Sequence, residues 1–155
     1  MSGQFPDRET VQTVLSLATR APSVHNTQPW RWRVGAQSLH LYTDRGRHLP
    51  STDPDGRDLI LSCGIALHHC VVALAALGWR TKVHRLPNPD ELEHLAAIEV
   101  YRHPANENDS TLAAAIPSLR TDRRRYSAWI VPANYIALLC ARAALTGVVL
   151  CQMES

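Results

Sequence analysis

The sequence predicts an α+β fold: a mostly antiparallel sheet packed by helices, one of them long and buried. Three observations point there. Strand-like runs come in neighbouring pairs. Trp30–Val34 and Ser38–Tyr42 flank the turn residues Gly35-Ala36-Gln37, and Arg80–Leu86 and Leu95–Tyr101 flank Pro87-Asn88-Pro89-Asp90. Helical spacing appears before the first pair, with Val11, Val14, Leu15 and Ala18 on one face. Between the pairs lies the run 59–77, apolar on nearly every side and therefore a helix that needs cover all round. Such a helix belongs at the centre of a fold or at a subunit interface.

The elements follow in order from local signals. Asp7 can cap a first helix running to about Ala21, and Pro22 stops it by pushing its predecessor out of the helical region. After the first strand pair comes a polar loop, Thr43 to Asp55. Asp53-Pro54 reads as an N-cap and first helical residue, opening the long helix that ends at Leu77 with Gly78 beyond it. A short helix is expected from about Ser110 to Ile116 and another over Pro132 to Leu145. Gly147 to Met153 reads as the start of an apolar strand.

Composition narrows the function classes. The 155 residues suffice for one domain with a real core, and 45% hydrophobic with 19% charged residues is ordinary globular composition. A formal net charge of +2 gives no reason to expect nucleic acid or an anionic membrane as partner. The apolar run carries His68 and His69 at its middle, where a membrane span is expected to be cleaner. The N-terminus lacks a basic-then-apolar signal pattern, and Cys63, Cys70, Cys140 and Cys151 show no CxxC spacing. Reduced thiols and a cytoplasmic location are therefore expected. No metal site is expected either: Cys63 and Cys70 share a helix face from which His68 and His69 point away. No nucleophile motif or carboxylate pair stands out as a catalytic group.

Two segments can carry chemistry. Ala21 to Trp32 crowds fixed-φ prolines, His25, the amides of Asn26 and Gln28, and two indoles into the connection between a helix and a strand. Such a segment can hold a flat ligand with a polar edge, or it can be a helix-ending turn whose tryptophans fill the core. The second is Arg120-Thr121-Asp122-Arg123-Arg124-Arg125-Tyr126, with Val131-Pro132 soon after. Its guanidinium groups can bind phosphate through paired hydrogen bonds, or they can form a solvated basic connection.

Ala-Pro-Ser-x-x-Asn-x-Gln-Pro-Trp at Ala21 to Trp30 resembles the flavin-contacting segment of the FMN-dependent nitroreductases. The His25-Asn26 and Trp30-Arg31-Trp32 pairings resemble the mycobacterial Acg branch of that superfamily. The resemblance implies FMN as cofactor, NAD(P)H as reductant and a small nitroaromatic or quinone-type acceptor. It assigns cofactor contacts to Ser23, His25, Asn26, Gln28, Pro29, Trp30, Arg31 and Trp32, and phosphate contacts to Arg120, Thr121 and Arg123, with Tyr126 as the accompanying aromatic. Two departures stand out: Leu119 occupies the place of an arginine, and the spacing from Arg123 to Tyr126 is one residue longer than the family pattern.

The resemblance further implies that residues 1–155 are a single nitroreductase-like domain, the N-terminal half of an Acg-like protein. Residues 117–132 would then be the basic junction to a second half, and the chain a truncated or split member. Sites in this superfamily lie between two protomer-like units, so a homodimer or pairing with a separately encoded second half is expected. The alternative is a non-catalytic flavin-binding or flavin-sequestering protein, or an inactive remnant.

Overall fold

A computed structural model describes residues 5–125 and 130–153, in two compact units, Met1–Thr121 and Asp122–Ser155. In the first unit helix α1 spans Arg8–Ala18, with the Asp7 carboxylate accepting the Thr10 N–H at 2.8 Å. It ends at Ala18 rather than near Ala21. The Thr19 hydroxyl donates to the Leu15 carbonyl, and the Arg20 and Ala21 amides bond Leu17 and Ala18 in a tighter turn. The helix thus unwinds before Pro22 is reached.

Strands β1 (Trp30–Val34), β2 (Ser38–Thr43), β3 (Trp79–Arg85) and β4 (His94–Arg102) form one antiparallel sheet in the order β1-β2-β4-β3. Both expected hairpin pairs are present, and the β2–β4 pairing joins them. Along β2, buried Leu39, Leu41 and Thr43 alternate with half-buried Ser38, His40 and Tyr42, which gives the sheet one apolar face. A register shift pairs Leu41 with Ala96 but Tyr42 with His94. The extra residue in β4 brings His94 to the side of Tyr42 and His40. Its ring stacks on Tyr42 at 4.4 Å, and its Nε2 lies 3.0 Å from His40 Nδ1.

The long helix α2 spans Arg57–Ala76 and starts later than Asp53-Pro54 suggests. Gly56, left-handed at φ 69°, precedes it, and Pro54 lies in the turn before. The Asp53 carboxylate still reaches forward to accept the Asp58 and Leu59 amides, at 3.1 and 2.9 Å. Burial pushes the Asp53 carboxyl up, but these amides together with nearby His48 hold it below the usual carboxylate range. One side of α2, with Cys63, Ala66, Cys70, Ala73 and Leu74, is buried in two core clusters shared with α1 and the sheet. By length and composition alone α2 could cross a membrane; half of its apolar window is nevertheless buried within the fold. Leu61, Gly64, Ile65 and His68 face outward, so the unit covers only part of the helix.

Helix α3 spans Glu107–Ala115, earlier than expected, because Asn106 and Asp109 form a reciprocal capping box. It packs on α2 and leads into a 3-10 turn, Ile116–Ser118, whose Ile116 is buried. In the second unit, helix α4 spans Ala133–Leu145 and buries none of its residues. The strand expected over Gly147–Met153 is absent among the described residues. Gly147, at φ 78°, turns the chain, and the Thr146, Gly147 and Val148 amides bond back to Ala143 and Ala144. A single apolar run without a neighbouring strand has no partner for its backbone groups.

Candidate functional site

The Ala21–Trp32 segment rests on a buried floor. Trp30 is 7% exposed and packs with Ala21, Leu41, Cys63, Ala66 and Ala96, and Pro29 beside it is fully buried. The core-filling reading therefore describes where Trp30 sits. Trp32 is partly buried against both core clusters, and its Nε1 is buried without a hydrogen-bond partner among the described residues. Arg31 points the other way, its guanidinium 5.8 Å from the Tyr42 ring centroid.

Above that floor the backbone takes an unusual path. His25, Asn26 and Gln28 have φ of 50°, 54° and 49°, the left-handed region that disfavours any side chain but is tolerated best by Gly and Asn. Strain of this kind persists only where neighbours over-determine it, and it concentrates at binding sites. The tethers are visible. Ser23 Oγ accepts the Gln28 N–H at 2.9 Å, and Ser62 Oγ on α2 accepts the Val24 N–H at 3.4 Å. Arg47 Nη1 donates to the Gln28 carbonyl at 3.1 Å. The Pro29 carbonyl receives both the Asp44 N–H, at 2.9 Å, and the Cys63 thiol, at 3.2 Å. Burial pushes that thiol up to about 12, so Cys63 acts as a neutral donor.

The result is a presented pair of amides. Gln28 Nε2 donates to Asn26 Oδ1 at 3.4 Å, which orients the two side chains against each other. Asn26 and His25 are exposed, while Ser23 and Gln28 are half-buried. This edge can donate and accept hydrogen bonds side by side, and it contains no nucleophile or base in a reactive pairing.

The basic segment is built differently. Arg120 and Thr121 are exposed, and Arg120 Nη1 folds back onto the carbonyls of Pro117 (2.9 Å) and Leu119 (2.7 Å). Arg20, directly before Ala21, donates to the same Pro117 oxygen at 3.2 Å, so the start of the first segment lies beside Arg120. Arg123 belongs to the second unit and is exposed; Tyr126 lies outside the described residues. Within that unit Arg124 holds Asp122 in a paired contact, keeping the Asp122 carboxyl below its usual range. Sequence reading missed Arg20, Asp44, Arg47, Ser62 and Cys63. Arg47, Ser62 and Cys63 act on the segment from a loop and a helix far along the chain, where no local pattern marks them.

Among the described residues no group of three His, Cys, Asp or Glu converges.

No family model matches the chain. Among curated proteins, "Putative NAD(P)H nitroreductase Rv3131" of Mycobacterium tuberculosis H37Rv is 61% identical over all 155 residues, which make up 45% of its length. "Putative NAD(P)H nitroreductase acg" of the same strain is 42% identical over 118 residues, 74% of this chain and 35% of that protein. The chain thus spans less than half the length of the curated relatives it matches. Among solved structures, a "Nitroreductase Family Protein" from Streptococcus pneumoniae TIGR4 aligns with a TM-score of 0.52 at 16% identity, covering 87% of this chain and 90% of that one. A "putative nitroreductase in complex with fmn" from Desulfovibrio desulfuricans aligns at 0.54 and 18%, covering 84% and 90%. These likenesses show the nitroreductase fold. Over its whole length the chain is similar in sequence to part of the putative NAD(P)H nitroreductases of the Acg type, and it has the nitroreductase fold.

Proposed function

We propose that this chain forms the flavin-contacting part of an FMN-dependent oxidoreductase that uses NAD(P)H to reduce nitroaromatic or quinone-type acceptors. The observation that carries this reading is the strained turn at His25, Asn26 and Gln28, held by Ser23, Ser62 and Arg47 and presenting two side-chain amides. A flavin has an edge of alternating carbonyl and N–H groups, which such amides match in kind. The bound FMN supplies the hydride chemistry; the protein's part is binding, orientation and exclusion of water.

Ser23, Asn26 and Gln28 hydrogen-bond the polar edge or ribityl chain, and His25 and Arg31 border them. Buried Pro29 and Trp30, with partly buried Trp32, support the turn from below. Arg120 and Thr121, at the end of the first unit, hold the phosphate. The outward side of α2, with Leu61 62% exposed and Ile65 beside it, is the surface on which a second copy or a separately encoded second half pairs. A cytoplasmic setting suits the four unpaired cysteines, two of them buried.

The test is spectroscopic. The full chain is mixed with FMN, freed of excess, and titrated with NADPH and then with a nitroaromatic. Retained yellow colour that bleaches and returns supports the oxidoreductase. Colour that NADPH does not bleach identifies a flavin-binding protein without turnover. A chain that cannot retain FMN contradicts the cofactor assignment.

A further inference from the structure

Two guanidinium groups from distant parts of the first unit meet at one oxygen. Arg20 Nη2 and Arg120 Nη1 both donate to the Pro117 carbonyl, at 3.2 and 2.9 Å. Like charges are drawn together here, and among the described residues no carboxylate forms an ion pair with either. Each guanidinium has five N–H donors in a planar fork. Among the described residues Arg20 commits one nitrogen to Pro117, and Arg120 commits only Nη1, so most donors on both remain for another acceptor. Thr121 follows Arg120 with an exposed hydroxyl. Two cations without an acid between them, converging beside a ligand-presenting turn, call for an anion with several oxygens.

We propose that Arg20 and Arg120 form a two-arginine clamp for a phosphate monoester, with Arg20 supplying the guanidinium that Leu119 does not. Arg20 stands directly before the Ala21–Trp32 segment, so one stretch of chain contributes to both ends of the ligand. The identity of the phosphate as that of FMN rests on the flavin reading above; the clamp itself rests on the convergence at Pro117. Two forked cations match a tetrahedral dianion far better than they match a neutral ribityl end.

Comparing FMN with riboflavin isolates the phosphate. Dissociation constants for both are measured on the full chain by quenching of flavin fluorescence. The clamp predicts that Arg20→Ala weakens FMN about tenfold, the loss of one charge-assisted contact, and leaves riboflavin unchanged. Arg20→Lys restores part of the FMN affinity, and Arg120→Ala repeats the effect. An FMN-to-riboflavin ratio unchanged in Arg20→Ala overturns the clamp, whatever happens to thermal stability. If the wild-type chain binds neither flavin, the flavin reading fails and inorganic phosphate decides the clamp. A thermal midpoint that rises with phosphate in wild type but not in Arg20→Ala supports it, and a wild-type midpoint indifferent to phosphate overturns it.

Discussion

The Ala21–Trp32 and Arg120–Arg125 segments both read as ligand-binding stretches, yet they are held in opposite ways. The first is tied by Ser62 and Cys63 of α2, by Asp44 and Arg47 of the loop after β2, and by its own Ser23, over a floor of buried Pro29 and Trp30. The side-chain bonds of the second are local or shared with one other arginine: Arg120 with Pro117 and Leu119, Arg124 with Asp122. A strained turn keeps its shape only with many tethers, whereas a run of exposed arginines keeps its charge with none. Geometry is therefore built into the first segment, and charge alone into the second.

Substitutions should separate the two. Trp30→Ala empties the floor of the first segment and should cost about 3–5 kcal/mol in urea unfolding. A loss below about 1 kcal/mol would remove Trp30 from the support of the turn. Acid should act on the packing of α2 instead. His69 on α2 is buried, with Nδ1 lacking a partner among the described residues. Burial first, and neighbouring His68 second, push its pKa below the usual histidine value. The folded chain thus keeps His69 neutral, while the unfolded chain takes up a proton below about pH 6.5. This group's share of stability is full above that pH and declines below it, by at most about 1.4 kcal/mol per pH unit. His69→Met should flatten the acid limb; an unchanged limb assigns it to other groups.

Gln28→Gly offers the sharpest trade. Removing the side chain at φ 49° relieves strain and should raise stability by about 1 kcal/mol, while deleting one presented amide weakens FMN. A parallel loss of both would show that the tethers, not the backbone, set the conformation. Arg123→Ala, at an exposed position of the second unit, should be the mildest change, within about 0.5 kcal/mol in urea unfolding; a larger loss would show that this arginine has a structural role.

Much of the fold was legible locally. Both hairpins, the Asp7 cap and the long apolar helix follow from period, turn residues and capping chemistry. The errors came where distant or alternative backbone partners decided the outcome. Asp53 caps α2 from beyond Gly56 rather than beside Pro54, and Asn106 starts α3 early through its bond with Asp109. Gly147–Met153 has strand composition but no strand to pair with among the described residues. In the site, the amides of Asn26 and Gln28 were visible as residue types. The left-handed backbone that aims them was not, because its causes, Ser62 and Arg47, lie well along the chain.

The central claim is that the tethered amide turn binds FMN, and one titration addresses it most directly. FMN is titrated into the full wild-type chain and into the double variant Asn26→Ala, Gln28→Ala, with unfolding measured on both. The account predicts saturable binding by wild type, at least about tenfold weaker binding by the variant, and an unfolding loss of no more than about 1 kcal/mol, since Asn26 is exposed and Gln28 half-buried while Ala fits the left-handed backbone at Asn26 less well. Equal FMN affinity in the two proteins, with both folded, would contradict it.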